Sequence, residues 1–262
     1  GQEKNVVNAA IAKMNLFLHG ASDFNVMQGD TLRDPKILQG GNIAKFDCVI
    51  ANPPFSLENW GATEWSSDKY KRNIYGTPSD SCGDYAWIQH MICSMVSGQG
   101  RMAVVMPQGI LFRNQETEIR KQLVESDLIE AVVTLGDKLF YGTGLSPCFL
   151  IIRRMKPAHH SGRILMIDGS KILTQKRAQN ILEENDIDRL YSLYQNYSDE
   201  EDYSRIVTLQ EIRDKEYNLS PNRYVVYHKE EIRPYAEVLA EFKHAYEEVK
   251  RLEEEFSLLI NA

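Results

Sequence analysis

The segment FDCVIANPPF, residues 46–55, decides how the fold is read. Its apolar run, Cys48–Ala51, is typical of a strand. Two consecutive prolines cannot donate to a sheet ladder, so the strand must stop before them. In open α/β sheets, ligands bind beyond the carboxyl ends of the strands. The sequence therefore predicts that the turn Asn52–Phe55 lies at a ligand-binding edge.

Strands and helices alternate on both sides of this segment. The predicted strands are 24–30, 46–55, 100–109, 129–135 and 147–154, and the predicted helices are 1–20, 85–97 and 115–126. Gly20 is expected to cap the first helix, and no strand is expected before it. The alternation predicts a doubly wound α/β sheet. No helical pattern separates the last two strands, which predicts an antiparallel pair at the sheet edge.

The character of the chain changes after Lys156. A further strand is predicted at 163–170 and an amphipathic helix at 185–197. From Pro234 to Ile260 the chain reads as helix throughout, with a heptad-like seam. The seam residues are Leu239, Phe242, Tyr246, Val249, Leu252, Phe256 and Leu259. Earlier, residues 56–83 form a long polar stretch whose four aromatic side chains exceed the need of a plain linker.

Composition limits the possible partners. The chain has 262 residues, a net charge of −7 and no apolar run long enough to span a membrane. A protein that grips DNA phosphates alone usually has a basic surplus. Two small basic clusters, residues 69–72 and 153–156, are expected to be solvated surface. The cysteines form no C-x-x-C pair, Cys48 and Cys148 are expected to be buried, and a reducing cytoplasm is indicated.

The turn after the predicted strand has a chemistry of its own. The side-chain carbonyl of Asn52 and the backbone carbonyl of Pro53 are both acceptors, and the prolines can hold them converging on one point. A planar amino group has two hydrogens for such a pair, and Phe55 can stack on its heterocycle. Drawing both N–H bonds toward carbonyls enriches the nitrogen in electron density. The turn therefore predicts activation of an exocyclic amine; the alternative is a proline-terminated strand with a packing phenylalanine.

At this point the sequence resembles a known family. It is similar to the modification subunit of type I restriction-modification systems, an N6-adenine DNA methyltransferase that uses S-adenosylmethionine. The motifs that carry the resemblance are QGDTL, FDCVIANPPFS, GDYAWIQHM, GRMAVVMPQGILFR, LGDKLFYGTGLSPCFLII and YNLSPNRYV. The NPPF tetrapeptide is shared with other amino-methyltransferases, whereas the ordered set is more specific. The resemblance implies a Rossmann-like methyltransferase sheet.

The resemblance also implies roles for individual residues. The residues that match the catalytic motif are Asn52, Pro53, Pro54 and Phe55. Glu3 matches the acidic residue that binds the cofactor ribose, and Asp30 the residue that contacts the cofactor adenine. Thr31 and Asn52 complete the implied cofactor set, and no metal is implied. From the residues alone, Asp30 is better explained as a turn or N-cap aspartate.

The family's organisation gives further expectations. Residues 1–156 would be the C-terminal part of the catalytic domain, 157–233 an α+β extension and 234–262 a helical tail for assembly. The implied partners are double-stranded DNA with a flipped adenine, a specificity subunit bound through the tail, a second modification subunit and a restriction subunit. The family's glycine-rich cofactor loop would precede Gly1, so the first sheet strands are expected to be missing and the isolated chain to be inactive.

Two other functions stay open on the sequence. The NPPF turn also suits methyltransferases that act on cytosine N4, guanine N2 or a protein glutamine. A chain without the cofactor loop could instead be a non-catalytic assembly piece. A strand and a G-x-G-like loop upstream of Gly1 would favour the enzyme.

Overall fold

A computed structural model of the protein describes residues 1–140, 144–177, 179–228 and 234–260. Its strands are β1 Gln2–Glu3, β2 Met27–Gln28, β3 Leu38–Gln39, β4 Asn42–Ile43, β5 Cys48–Ala51, β6 Arg101–Pro107, β7 Ile129–Leu135, β8 Pro147–Arg153, β9 Arg163–Gly169 and β10 Ser204–Thr208. Its α-helices are α1 Val6–Leu18, α2 Ala62–Ser66, α3 Asp84–Cys93, α4 Thr117–Glu125, α5 Glu184–Asn196, α6 Leu209–Asp214 and α7 Tyr235–Ile260. The chain forms two compact units, Gly1–Tyr227 and His228–Ala262.

A six-stranded sheet organises the first unit. Its strand order is β10-β9-β7-β8-β6-β5. Strand β5 is parallel to β6 and β7 is parallel to β9, whereas β8 is antiparallel to both of its neighbours. The predicted antiparallel pair, β7 and β8, is confirmed. Its predicted place at the sheet edge is wrong, because β9 and β10 extend the sheet beyond β7.

Helices cover both faces of this sheet, as the near-continuous apolar strands indicate. Alternate residues of a strand point to opposite faces. Val132 of β7 therefore belongs to a core cluster with Ile88 of α3 and Leu123 of α4. Its neighbour Val133 belongs to a second cluster with Leu193 of α5. The predicted doubly wound arrangement is confirmed in this part of the chain.

The first helix, Val6–Leu18, begins later than the predicted 1–20 and ends near the predicted Gly20. The side chain of Asn5 caps α1 by accepting the N–H groups of Val7 and Asn8. At the other end, Gly20 has φ +78° and its N–H donates to the Phe17 carbonyl, the geometry of a glycine-terminated helix. The absence of a strand before this helix was a wrong expectation. Strand β1 pairs in parallel with β2, and two residues are too few to show a period in sequence.

Strand β5 shows why one cysteine prediction is wrong. Cys48 is exposed, as is Ile50, which shares its face of the strand. Among the described residues β5 pairs only with β6, so it is an edge strand. Cys148 is fully buried on β8, as predicted. All four cysteines are unpaired.

The polar stretch 56–83 is folded rather than open. Trp60 and Trp65 are buried and form a small core with Leu32. Arg72 lies on the Trp65 ring, with its guanidinium carbon 4.5 Å from the ring centroid, and its side chain is only 1% exposed. The basic cluster 69–72 is therefore not simply solvated surface. The aromatic residues and one arginine of the stretch build its interior.

The second basic cluster is also tied into the fold. Lys156 has a side chain that is 3% exposed, and its Nζ lies 2.6 Å from Asp127 Oδ1. Arg153 pairs with Glu130 at 3.0 Å. These cations neutralise buried or half-buried carboxylates. The expectation of a solvated surface is wrong for Lys156.

The chain beyond Lys156 continues the same architecture. The predicted strand and helix in 157–233 appear as β9 and α5, and β9 lies inside the six-stranded sheet. The division of residues 1–233 into a catalytic part and an extension stays a prediction. Across the described residues, none of the helices combines the length and the apolar character that crossing a membrane demands.

The second unit contains α7, which matches the predicted helix. Its large apolar side chains are exposed, among them Phe242, Tyr246 and Val249. The rings of Phe242 and Tyr246 stack one helical turn apart, with centroids separated by 6.4 Å. The side chain of Leu259, the last residue of the predicted seam, lies outside the described residues. The seam is thus an exposed apolar stripe.

Candidate active site at the strand ends

The predicted turn lies at the carboxyl end of β5. Asn52 is exposed, Pro53 is buried, Pro54 is exposed and Phe55 is half-buried. Because β5 and β6 are parallel, with Ala51 opposite Val104, both strands end at the same edge of the sheet. The turn therefore holds one polar side chain toward solvent on a backbone that is anchored by the buried proline.

Gln108 stabilises this edge of the sheet through its side-chain amide. This role was not predicted from the sequence. It follows β6, and its side-chain amide donates to the carbonyls of Leu135 at 2.9 Å and Pro147 at 3.2 Å. It thereby ties the end of β6 to the end of β7 and the start of β8. An amide after a strand and a proline was a signal in the sequence, but its partners are set by the strand order.

An aromatic partner for Phe55 comes from the loop after β7. The rings of Phe55 and Phe140 meet edge to face, with centroids 6.3 Å apart and an interplanar angle of 82°. This is a favourable geometry for two aromatic rings. The sequence singled out Phe55 but not Phe140. Part of the glycine-containing stretch that follows, residues 142–147, lies outside the described residues.

The two predicted cofactor carboxylates stand at neighbouring strand ends. Glu3 closes β1, and Asp30 follows β2, which pairs with β1 in parallel. Glu3 is half-buried, and its Oε1 accepts the Asn5 N–H at 2.7 Å. The structure therefore places both carboxylates at one edge of the two-stranded sheet.

Asp30 has structural partners of its own. Its Oδ1 accepts the N–H groups of Leu32 and Arg33, each at 3.1 Å, so it caps the turn as the residues alone indicated. Its Oδ2 lies 3.0 Å from Lys4 Nζ. Burial raises the pKa of this carboxyl, but the hydrogen bonds from Lys4 and the turn outweigh it, and the pKa lies below its ordinary value. Asp30 is thus a stable anion.

Two arginines join the Asp30–Thr31 segment to the chain that follows the turn. Arg33 donates to the carbonyls of Asn59 and Trp60 at 2.5 and 3.3 Å. Arg72 donates to the carbonyls of Thr31 and Leu32 at 2.8 and 2.7 Å. The half-buried Thr31 therefore offers its side chain while its carbonyl is occupied. These hydrogen bonds link the segment after β2 to residues 59–72, which follow the NPPF turn in the chain.

Arg72 is the centre of this connection and was missed in the sequence. Its guanidinium pairs with Asp68 at 2.7 Å and lies 3.2 Å from Nδ1 of His90. Desolvation, reinforced by the Arg72 charge, lowers the pKa of His90 to about 3, so this imidazole is neutral. The sequence KYKR gave no sign that its last residue turns inward.

A buried acidic cluster lies directly behind the turn. Cys82, Asp84 and Glu116 place their ligand atoms within 4.8 Å of one another, close enough for a metal site. The guanidinium of Arg113 contacts both carboxylates, however, so a cation of the protein itself stands among them. Burial raises the pKa of the Glu116 carboxyl, although Arg113 acts against this rise. The cluster is best described as an ion-pair network.

Comparisons with known proteins agree with this geometry. A methylase subunit of the type I restriction enzyme MjaVII from Methanocaldococcus jannaschii is 36% identical over 97% of this chain and 45% of its own length. The methyltransferase subunit of a type I restriction-modification system from Streptococcus thermophilus has a TM-score of 0.79 and 29% identity over 87% of this chain and 48% of its own.

The fold extends to a wider class. A Listeria monocytogenes protein assigned to the class I S-adenosylmethionine-dependent methyltransferases has a TM-score of 0.50 at 13% identity, over 75% of this chain and 54% of its own. The predicted Rossmann-like methyltransferase fold is confirmed. The chain spans about half the length of the relatives it matches. Because residues 1–232 match the N-6 DNA methylase family and the predicted NPPF turn lies at a strand end, the chain belongs to that family.

Proposed function

We propose that the full-length protein is the methylase subunit of a type I restriction-modification system. It transfers a methyl group from S-adenosylmethionine to N6 of an adenine that has been flipped out of double-stranded DNA. The observation that carries this proposal is the position of Asn52–Phe55 at the carboxyl end of β5, in a chain that also carries Glu3 and Asp30 at the ends of a second pair of parallel strands. Family membership supports it.

The turn's own residues supply amine activation. The exposed side-chain carbonyl of Asn52 and the backbone carbonyl of the buried Pro53 accept the two hydrogens of the target amine. These two hydrogen bonds reduce the delocalisation of the nitrogen lone pair into the ring, so the amine nitrogen becomes more nucleophilic. This activation requires no histidine or carboxylate base. Pro53 and Pro54 fix the backbone, so the acceptors need no reorganisation. Phe55, held against Phe140, offers a stacking surface for the base.

The side chains of the proposed cofactor residues have the functional groups needed to bind S-adenosylmethionine. S-adenosylmethionine supplies an electrophilic methyl group on a sulfonium. Glu3 keeps one carboxylate oxygen on the Asn5 N–H, which leaves Oε2 as an acceptor for ribose hydroxyls. Asp30 and Thr31 lie at the adjoining strand end, where Asp30 is anionic and can accept from the cofactor's adenine. Asn52, which follows β5, completes the proposed set, and we expect it to contribute less to cofactor affinity than Glu3, Asp30 and Thr31.

The decisive experiment replaces Asn52 in the full-length protein. Asn52→Ala is expected to abolish formation of N6-methyladenine, measured by mass spectrometry of digested nucleosides, because one acceptor of the amine is lost. Calorimetric titration should show nearly unchanged binding of S-adenosylmethionine. The control is Asn42→Ala, another exposed asparagine, which lies in the β3–β4 hairpin. Near-normal turnover by Asn52→Ala would rule out amine activation, and N4-methylcytosine as sole product would favour another NPP[FY] enzyme.

Assembly is proposed to use the exposed stripe of α7. Its apolar residues suit a helical partner, which we propose is the specificity subunit that reads the DNA sequence; the chain's net charge of −7 fits this division of labour. Deletion of 236–262 should leave cofactor binding intact but prevent co-purification with that subunit. Phe242→Asp should do the same, whereas Glu247→Ala on the same helix should not. Stoichiometric assembly of the deletion variant would contradict the proposal.

The remaining partners follow from the same role. A second modification subunit and a restriction subunit complete the proposed complex on DNA. We propose that it works in the cytoplasm, where the unpaired Cys48 stays reduced. If the full-length protein assembles with its partners but never methylates DNA, the chain is an assembly piece rather than an enzyme part.

A further inference from the structure

The residue that follows the NPPF turn has an unusual backbone. Ser56 has φ +49°, in the left-handed region that residues other than glycine rarely occupy. Its N–H donates to Oδ1 of Asp84 at 2.7 Å. Asp84 is the first residue of α3 and is completely buried. A buried carboxylate therefore holds the exit of the turn in a conformation that the chain alone would not favour.

The second oxygen of Asp84 is held just as firmly. Its Oδ2 accepts the guanidinium of Arg113 and, at 3.2 Å, the thiol of Cys82. Arg113 also donates to Glu116 Oε2 at 3.0 Å and reaches Ser56 Oγ at 3.4 Å. Burial raises the pKa of the Cys82 thiol to about 12, which keeps it a neutral donor. Asp84 thus binds the backbone N–H of Ser56, and Arg113 contacts its side-chain hydroxyl.

Arg113 itself rests on a rigid base. Its carbonyl accepts Arg120 Nη1 at 2.9 Å, and the buried Arg120 also donates to the carbonyl of Tyr217 at 2.8 Å. The hydroxyl of Tyr85 donates to the carbonyl of Ile110 at 2.8 Å. Both ends of the segment that carries Arg113 are therefore fixed to helices and to the YNLSPNRY stretch. A shift of the Arg113 backbone would have to break several of these bonds.

The Asp84–Arg113 ion pair is better explained by the positioning of the NPPF turn than by a contribution to folding stability. A buried ion pair contributes little net stability, because desolvation offsets most of the attraction. Here the pair is instead connected to the first residue after Phe55. We propose that Asp84 and Arg113 are positioning residues that hold Asn52–Phe55 in the geometry needed for methyl transfer. The inference rests on the proposed function and adds residues that lie outside the NPPF motif.

The test uses Asp84→Asn and Arg113→Lys in the full-length protein. Because a misplacement of about 1 Å can lower turnover about 100-fold, kcat should fall by that order in both variants. The KM for S-adenosylmethionine should stay within about twofold, since neither residue touches the cofactor carboxylates. Hydrogen exchange of the Ser56 amide, followed at residue resolution, should accelerate. The control is Arg213→Lys, which alters an ion pair with Glu125 on the surface.

Measuring both kcat and Ser56 amide exchange distinguishes a failure of this inference from a failure of the proposed function. A fall in kcat with unchanged Ser56 exchange, or faster exchange with unchanged kcat, would overturn it. Arg113→Lys keeps the positive charge, so it tests the geometry of the contact with Ser56 if Asp84→Asn fails to fold. If the wild-type protein methylates no DNA, the proposed function fails; Ser56 protection that survives in both variants would then overturn the positioning contact independently.

Discussion

Replacing Arg72 by methionine isolates the contribution of the buried cation that links residues 31–32 to the stretch after the NPPF turn. The side chains of Arg72 and Asp68 are 1% and 7% exposed, and their charged atoms lie 2.7 Å apart. The substitution also removes donors to the carbonyls of Thr31 and Leu32. Methionine keeps the long apolar stem on Trp65, so little volume is lost.

The size of the effect follows from the charge left behind. Removing one partner of a buried ion pair costs about 3–5 kcal/mol, because the other charge stays desolvated without compensation. For a unit of this length, each kcal/mol lowers the melting temperature by about 2–4 °C, which gives a decrease of roughly 10 °C for Arg72→Met. Replacing the exposed Arg213 by methionine should cause no resolvable change.

The loss should depend on pH in a defined direction. Burial raises the pKa of Asp68, but hydrogen bonds from Arg72 outweigh it and hold the pKa below its ordinary value of 3.8. A carboxyl with a lowered folded pKa stabilises the protein above its unfolded pKa and loses this contribution as pH falls through the folded pKa. The difference between wild type and Arg72→Met should therefore be full at about pH 6 and shrink toward about pH 3.

Tryptophan fluorescence in urea measures this directly. All three tryptophans, Trp60, Trp65 and Trp87, lie in or against the small core beneath Arg72. The double variant Asp68→Asn/Arg72→Met should recover part of the loss, because no charge remains uncompensated. A urea midpoint for Arg72→Met equal to that of wild type, or a penalty that does not change with pH, would refute the reasoning.

Two further outcomes test the packing of the sheet. A Cβ on Gly100 would lie 2.5 Å from the carbonyl oxygen of Val96, so Gly100→Ala should lower the free energy of unfolding by about 1–3 kcal/mol, measured by thermal melting. The control is Gly144→Ala, whose Cβ would meet nothing within 4 Å and which should melt like wild type. In the isolated chain, the exposed Cys48 should react rapidly with a thiol reagent, while Cys148, whose pKa is raised by burial, should react only on unfolding; equal rates would contradict the assigned positions.

Local signals were sufficient to predict the longer elements and the place of the turn, but not the short strands β1, β3 and β4 or the strand β10. The apolar run 129–135 gives β7 with its bounds, and the prolines after Asn52 end β5 where a sheet ladder could not continue. The order of strands was harder, since β8 lies inside the sheet only because β9 and β10 join it later. That pairing depends on contacts between distant segments, which no local period records.

The supports of the site were beyond sequence reasoning for the same reason. Ser56 and Asp84 are 28 positions apart, and a buried aspartate at a helix start looks like any first-turn acid. Arg72 sits in a basic run that is typical of solvated surface. In both cases the decisive fact is burial, which depends on contacts with distant segments: Arg72 packs on Trp65, and Asp84 meets Ser56 and Arg113.

The contact between Arg120 and the carbonyl of Tyr217 has a consequence for biosynthesis. These residues are 97 positions apart, and Leu219 likewise donates to the carbonyl of Leu111. At about 5–20 residues per second, translation needs roughly 5–20 s to supply the second half of this contact. During that interval the nascent chain already carries Asn52 and Phe55, yet the segment that fixes their support is unfinished and its apolar side chains are open to chaperones. The support of the candidate site is thus completed late, and translation that stops before Tyr217 yields a polypeptide that carries Asn52 and Phe55 but lacks the contact that fixes this support.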